Sequence, residues 1–229
     1  MRILIINPNS DPEMTAAIRR SAEDFARGEF EVVVIANPGS PRFIETYQDQ
    51  ITAAPGMMQL VREYEDNVDA IVIACHSDPN LDAVKEVTTL PVVGIGEASM
   101  KIASMLGHSF SVVTTHQHSI PGKIAQARRY HLQELLASVR APDKGEEGLG
   151  NEALFRALSK AALAEDRAEV IVLGCAGLAG MDKALQQSLG VPVLDGVACA
   201  LIVATGLVRY GTSTSKALGY RPYFEADQP

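Results

Sequence analysis

Two cysteines carry the strongest chemical signal in this chain of 229 residues. The segment Asp69-Ala70-Ile71-Val72-Ile73-Ala74-Cys75 aligns without gaps on Glu169-Val170-Ile171-Val172-Leu173-Gly174-Cys175, an offset of 100 residues. In each copy an apolar, β-branched run ends on a thiol and passes into a turn. A cysteine taken alone is usually a small buried hydrophobe, and Cys199, inside Val197-Ala198-Cys199-Ala200-Leu201-Ile202, reads that way. Cys75 and Cys175 occupy one place in an internal repeat and read as a functional pair. The chemistry that needs two thiols is proton exchange on both faces of an acidic carbon: one waits as thiolate, the other as neutral acid, and the roles swap with the hand of the substrate. A free thiol ionises near pH about 8.5, so a working thiolate needs local help. A helix starting soon after each cysteine, through Asp78-Pro79 and through Gly177-Leu178, is expected to bring its positive end near sulfur. Backbone N–H groups in the same turns are suited to holding an enolate oxygen.

The elements that must position these thiols are legible from periodicity. Short apolar runs at 3–6, 32–35, 71–73, 92–95, 111–113, 170–173 and 193–194 read as strands buried on both faces. Amphipathic stretches at 11–27, 52–65, 79–88, 97–106, 121–138, 151–165 and 180–189 read as helices between them. Strand–helix alternation predicts an α/β fold with parallel sheets. The repeat continues past the cysteines, because Leu90-Pro91-Val92-Val93-Gly94 matches Val191-Pro192-Val193-Leu194-Asp195. The halves also open alike, with Ile3 to Ser10 (ILIINPNS) against Val112 to Ser119 (VVTTHQHS). The expected architecture is two pseudo-symmetric, Rossmann-like half-domains with the active site in the cleft between them. Residues 1–108, with part of the C-terminal segment from about 205 to 229, form the first half; 109–204 form the second. Ligands of open parallel sheets bind beyond the carboxyl ends of the strands, and Asn7, Thr114 and Thr115 fall there together with the cysteines. Turn geometry and capping account for Asn7 and the threonines equally well on sequence alone. The stretch 141–150, polar and rich in Gly and Pro, reads as a loop.

Composition narrows the partners. Lys and Arg number 20 against 28 Asp and Glu, a formal net charge of −8, which argues against nucleic acid. No apolar run approaches the length of a membrane span, and MRILIINPNS enters a strand directly, so a cytoplasmic protein is expected. Three cysteines make no disulfide framework. Histidines at 76, 108, 116, 118 and 131 have no metal-ligand spacing, so no metal is expected. His116 and His118 read as a solvated loop, and so does Arg42. The cysteine blocks carry no Lys or Arg, which favours a neutral ring as ligand over a charged amino acid.

INPNS at 6–10, ACHSDPNLDA at 74–83, PVVGIGEASM at 91–100, SVVTT at 111–115, LGCAGLAGM at 173–181 and VPVLDGVACA at 191–200 together resemble the hydantoin and allantoin racemases of the aspartate/glutamate racemase superfamily. The resemblance implies cofactor-independent racemisation at C5 of a 5-substituted hydantoin or allantoin, with Cys75 and Cys175 as the acid–base pair. It places Asn7, Ser77, Thr114 or Thr115 and the backbone at Ala176 and Gly177 against the ring's carbonyl and N–H groups. It also suggests a homo-oligomer. His76 stands where that family usually has Phe, and Asn80 where it often has Gly. A histidine there would hydrogen-bond a polar substituent, assist ionisation of Cys75, or stack on the ring. Alternatives are a cysteine-dependent decarboxylase or isomerase of a small acid, an amino-acid racemase of the same superfamily, and a non-catalytic small-ligand-binding module.

Overall fold

The computed structural model describes residues 1–143 and 151–221. Each half contributes a parallel four-stranded sheet. The first contains β1 (Arg2–Asn7), β2 (Glu31–Ala36), β3 (Ala70–Ile73) and β4 (Val92–Gly94) in the order β2-β1-β3-β4. The second contains β5 (Phe110–Val113), β6 (Leu136–Arg140), β7 (Val170–Leu173) and β8 (Val193–Leu194) in the order β6-β5-β7-β8. Element for element, the second half repeats the first. β3 and β7 are buried along their whole length, as expected for apolar strands covered by helices on both faces.

The helices are α1 (Pro12–Ala26), α2 (Tyr47–Tyr64), α3 (Leu81–Val87), α4 (Ile95–Leu106), α5 (Ile120–Arg129), α6 (Glu152–Glu165), α7 (Asp182–Leu189) and α8 (Gly196–Tyr210). Most are crossovers that cover their own sheet. The last helix of each half does something different: α4 packs over β5 and β7 of the second sheet, and α8 packs over β3 and β4 of the first. The two helices also pack on each other. Met100 and Ala103 of α4 accordingly share a core with Phe110, Val112 and Val172. Val197, Ala200 and Leu201 of α8 share one with Ile3, Ile5 and Val72. This exchange fastens the halves together and leaves the carboxyl ends of both central strands facing one space.

One strand escaped the periodicity. The stretch 121–138 reads as a single helix, but α5 ends at Arg129, His131 takes a left-handed turn (φ 59°), and β6 begins at Leu136. β6 is an edge strand, nowhere fully buried, and it contains Ser138 and Arg140. It therefore lacks the apolar run that marks its counterpart β2, whose sequence is EVVVIA. Of the loop expected over 141–150, residues 141–143 have no regular structure and 144–150 lie outside the described residues, as do 222–229. Among the described residues no helix is long and apolar enough to cross a membrane.

Candidate active site

The ladder at each strand end fixes where the thiols stand. Ala74 N–H donates to the carbonyl of Ile6 (2.8 Å), and Gly174 N–H donates to that of Val113 (2.7 Å), so Cys75 and Cys175 are each the first residue beyond the sheet. Both line one cavity of about 820 Å³, together with His76, Ser77, Thr114, Thr115 and Ala176. The sequence-derived site therefore converges, apart from two residues set back from the wall. Asn7 is fully buried, and its amide donates to Asn9 Oδ1 (2.8 Å) and Thr15 Oγ1 (2.9 Å); the residue that reaches the cavity is Asn9. Gly177 directs its N–H at Cys175 Sγ (3.4 Å).

Neither thiol stands at the start of an α-helix, contrary to expectation. Cys175 caps a single 3-10 turn, Ala176–Leu178, and α7 begins only at Asp182. After Cys75 the chain kinks through Asp78 (φ 48°) and Asn80 (φ 57°) before α3 starts at Leu81. The sulfurs are supported by local groups: Ser77 Oγ lies 3.2 Å from Cys75 Sγ, and Gly177 N–H points at Cys175. Burial pushes the Cys175 thiol up, while the Gly177 N–H, the Lys123 ammonium and the Thr115 hydroxyl pull it down; negative charge on Cys75 pushes it up. The two sulfurs thus feel each other.

Behind Cys75 lies a dense polar cluster. His76 is buried, with Nδ1 3.0 Å from Lys123 Nζ and Nε2 3.2 Å from Ser99 Oγ. Gln126 donates to the His76 carbonyl (2.7 Å) and to Asp78 Oδ2 (2.9 Å). Asp78 also accepts from Gly96 N–H, Glu97 N–H and the Tyr130 hydroxyl, which ties the Cys75 turn to the start of α4. Burial raises its carboxyl to about 6, against the bonds from Tyr130, Gly96 and Glu97 and the Lys123 charge, which favour the carboxylate. Gly96 is required here, because a Cβ would come within 2.3 Å of the His76 carbonyl oxygen.

Several wall residues were not singled out from sequence. The sequence reads His116 and His118 as a solvated loop, yet both line the cavity, and His116 Nε2 lies 3.6 Å from Glu45 Oε1. The signal was available: they follow Thr115 at the end of β5, where the rule that placed the threonines applies to them too. Lys123, Asn9 and the stretch Phe43 to Tyr47 gave no such signal. Arg42 is exposed, as read, and it does a structural job: its guanidinium binds Asp11 Oδ1 (2.8 Å) and lies over the Phe43 ring, steadying that wall. Cys199 lies off the cavity in the core around α8, and burial pushes its thiol to about 12. Among the described residues no cluster of His, Cys, Asp or Glu could hold a metal ion.

Residues 3–204 match the family model described as Asp/Glu/Hydantoin racemase. The chain belongs to that family. It is 39% identical over 228 residues to a hydantoin racemase of Pseudomonas sp. (strain NS671), covering 96% of this chain and 91% of the relative. Its fold matches an allantoin racemase from Klebsiella pneumoniae with a TM-score of 0.91 at 34% identity, covering 96% of this chain and 92% of that one. An allantoin racemase from Pseudomonas fluorescens gives 0.89 at 35%, covering 97% and 98%. As a member of this racemase family the protein is an isomerase. The α/β architecture of paired parallel sheets is the Asp/Glu racemase fold.

Proposed function

We propose that the protein racemises a 5-substituted hydantoin, allantoin included, by proton transfer between Cys75 and Cys175 across the C5 carbon. The observation that carries this reading is the pair of repeat-related thiols on the wall of one cavity. A thiolate on one face removes the C5 proton, the electron pair moves into the adjacent carbonyl as an enolate, and the thiol on the opposite face protonates the carbon. Each turnover leaves the thiolate on the other sulfur, ready for the opposite enantiomer. Ser77, Thr114, Thr115 and the Ala176 backbone suit the ring's carbonyl and N–H groups. Asn7 acts through Asn9, and Gly177 through the sulfur it faces. His76, held between Lys123 and Ser99, shapes the wall beside Cys75 rather than exchanging protons. The reaction needs no cofactor, because a carbon beside a carbonyl and flanked by ring nitrogen is acidic enough for a thiolate held in place.

The names of the relatives divide between hydantoin and allantoin, and the cavity supports a substituent of either kind. Phe43 and Ile44 offer apolar surface, while His116, His118 and Arg129 offer polar groups. We infer a cytoplasmic protein and a homo-oligomer, the latter supported by apolar side chains left exposed on the inter-half helices, such as Met105 and Ile202. The test is polarimetry in deuterium oxide over enantiopure 5-substituted hydantoins, allantoin, amino acids and an arylmalonate. Loss of rotation with deuterium entering C5 of a hydantoin is the expected result. Carbon dioxide release from the malonate, or hydantoin binding with no exchange at any pH, would replace this reading.

A further inference from the structure

The internal repeat sets up a controlled comparison inside the cavity. Met14 of α1 and Lys123 of α5 both line it, each on the helix that follows the first strand of its half, and the cysteine repeat places Ala176 opposite His76. α1 packs on the turn after Cys175, and α5 reaches the turn after Cys75 through Lys123 and Gln126. One wall is therefore closed by Met14 and Ala176, both in a hydrophobic core, and the equivalent place on the other wall by Lys123 and His76. Hydrocarbon fills this position in one half, so packing alone does not call for a buried ammonium in the other.

Lys123 is 5% exposed. Burying an ammonium is costly unless an anion faces it. Its hydrogen-bond partner is a ring nitrogen, His76 Nδ1. Since an ammonium only donates, Nδ1 accepts, Nε2 carries the proton toward Ser99 Oγ, and Ser99 passes its own to the Ile95 carbonyl (2.7 Å). The ring is locked neutral, which agrees with the strong downward push that burial and the Lys123 charge exert on it. Burial also lowers the Lys123 ammonium, and what holds it up is negative charge on Cys75 first, then Cys175, then Asp78. Asp78 already accepts four hydrogen bonds, none from Lys123. Among the described residues the other titratable groups on the cavity wall are Glu45, Tyr47, His116, His118 and Arg129, with Glu45 facing His116. The anion left for Lys123 is a thiolate.

We propose that Lys123 is the counter-cation of the cysteine pair, a positioning residue that His76 holds in place so that one sulfur rests as thiolate. The role deepens the racemase reading and rests on it, because charge balance then holds through the whole reaction. One negative charge starts on a sulfur, moves to the enolate as the first thiol forms, and ends on the opposite sulfur as the second thiol gives up its proton. A single fixed ammonium on the wall of the cavity that both sulfurs line neutralises every one of these states, whichever enantiomer enters.

The experiment titrates the thiols without substrate. Wild type, Lys123→Gln and Lys123→Arg are alkylated with iodoacetamide across neutral and alkaline pH, with Cys75 and Cys175 followed separately by peptide mass spectrometry and folding checked by circular dichroism. Gln can still donate to His76, so it reads charge alone. The expected result is an alkylation midpoint raised by about one pH unit in Lys123→Gln and kept near wild type in Lys123→Arg. Hydantoin turnover should follow: kcat of Lys123→Gln falls about tenfold at neutral pH with little change in KM, and recovers as pH rises. Midpoints that superimpose on wild type overturn the proposal. His76→Phe, which keeps the cation and removes its anchor, is the second variant: a midpoint raised in the same direction supports the role, and an unchanged one overturns it. Because alkylation needs no hydantoin, the two readings fail separately. A raised midpoint in a protein inert to every hydantoin ends the substrate reading alone; an active racemase whose thiols ignore Lys123 ends this one alone.

Discussion

After Cys75 the chain kinks through two left-handed residues and buries Asp78, whose carboxylate grips the first N–H groups of α4. After Cys175 it closes a 3-10 turn, and the carboxylate that joins turn to helix comes from the other end: Asp195 caps α8 at Val197 and accepts from Gly180 and Ser21. Asp78 has Leu178 at its repeat position, and Asp195 has Gly94. Both halves thus keep a carboxylate between the cysteine turn and the helix exchanged to the other sheet, but they draw it from unrelated positions. The comparison separates what the repeat must preserve, two thiols at equivalent strand ends, from what each half solved in its own way. The charged pair at Lys123 and His76 against the apolar pair at Met14 and Ala176 is the same lesson within the cavity.

The largest effects should fall where the halves are alike. Cys75→Ser and Cys175→Ser should each lower racemisation by about a thousandfold, read by polarimetry, since in the proposed reaction each supplies one acid–base group. Cys199→Ser, in the core and off the cavity, should leave the rate near wild type. A large loss in only one of the two site variants would break the equivalence. Next come the two carboxylate links. Asp78→Ala strands four donors and Asp195→Ala three, so urea unfolding should show losses of roughly 3–4 and roughly 2–3 kcal/mol. The reverse order would place the weight of the inter-half connection on α8.

A smaller effect sharpens the asymmetry between the turns. His76 is neutral in the folded protein, held well below its usual range first by burial and then by Lys123. The unfolded chain takes up a proton at this residue below about pH 6.5. Stability owed to His76 is therefore present above that pH and lost as pH falls below it, by roughly 1 kcal/mol per pH unit. The difference in unfolding free energy between wild type and His76→Phe should shrink or reverse on acidification. A pH-independent difference would mean that the ring takes up its proton as readily in the fold as in the unfolded chain.

The fold was legible where residues were buried on both faces, because β3, β7 and their neighbours have no choice but unbroken apolar runs. β6 was hidden because an edge strand with Ser138 and Arg140 carries no such run, and Leu132, Leu135 and Leu136 mimic helical spacing. In the site, the thiols were legible from their repeat, and Thr114 and Thr115 from their place at a strand end. Asn7 was placed at the right strand end, though its amide is taken up by Asn9 and Thr15, a short-range choice that spacing does not reveal. Lys123 was invisible for a different reason. One lysine on an amphipathic helix looks like any solvated charge until the fold turns it toward the cavity.

If Cys75 and Cys175 address opposite faces of one carbon, isotope exchange in the single variants will separate the two faces. Each purified serine variant is incubated in deuterium oxide with each enantiomer of a 5-substituted hydantoin, and deuterium at C5 is followed by NMR alongside optical rotation. Cys75→Ser should exchange one enantiomer with retention, Cys175→Ser should exchange the other, and neither should invert either one appreciably. Both variants exchanging the same enantiomer, or inverting as wild type does, would contradict the opposite-face arrangement.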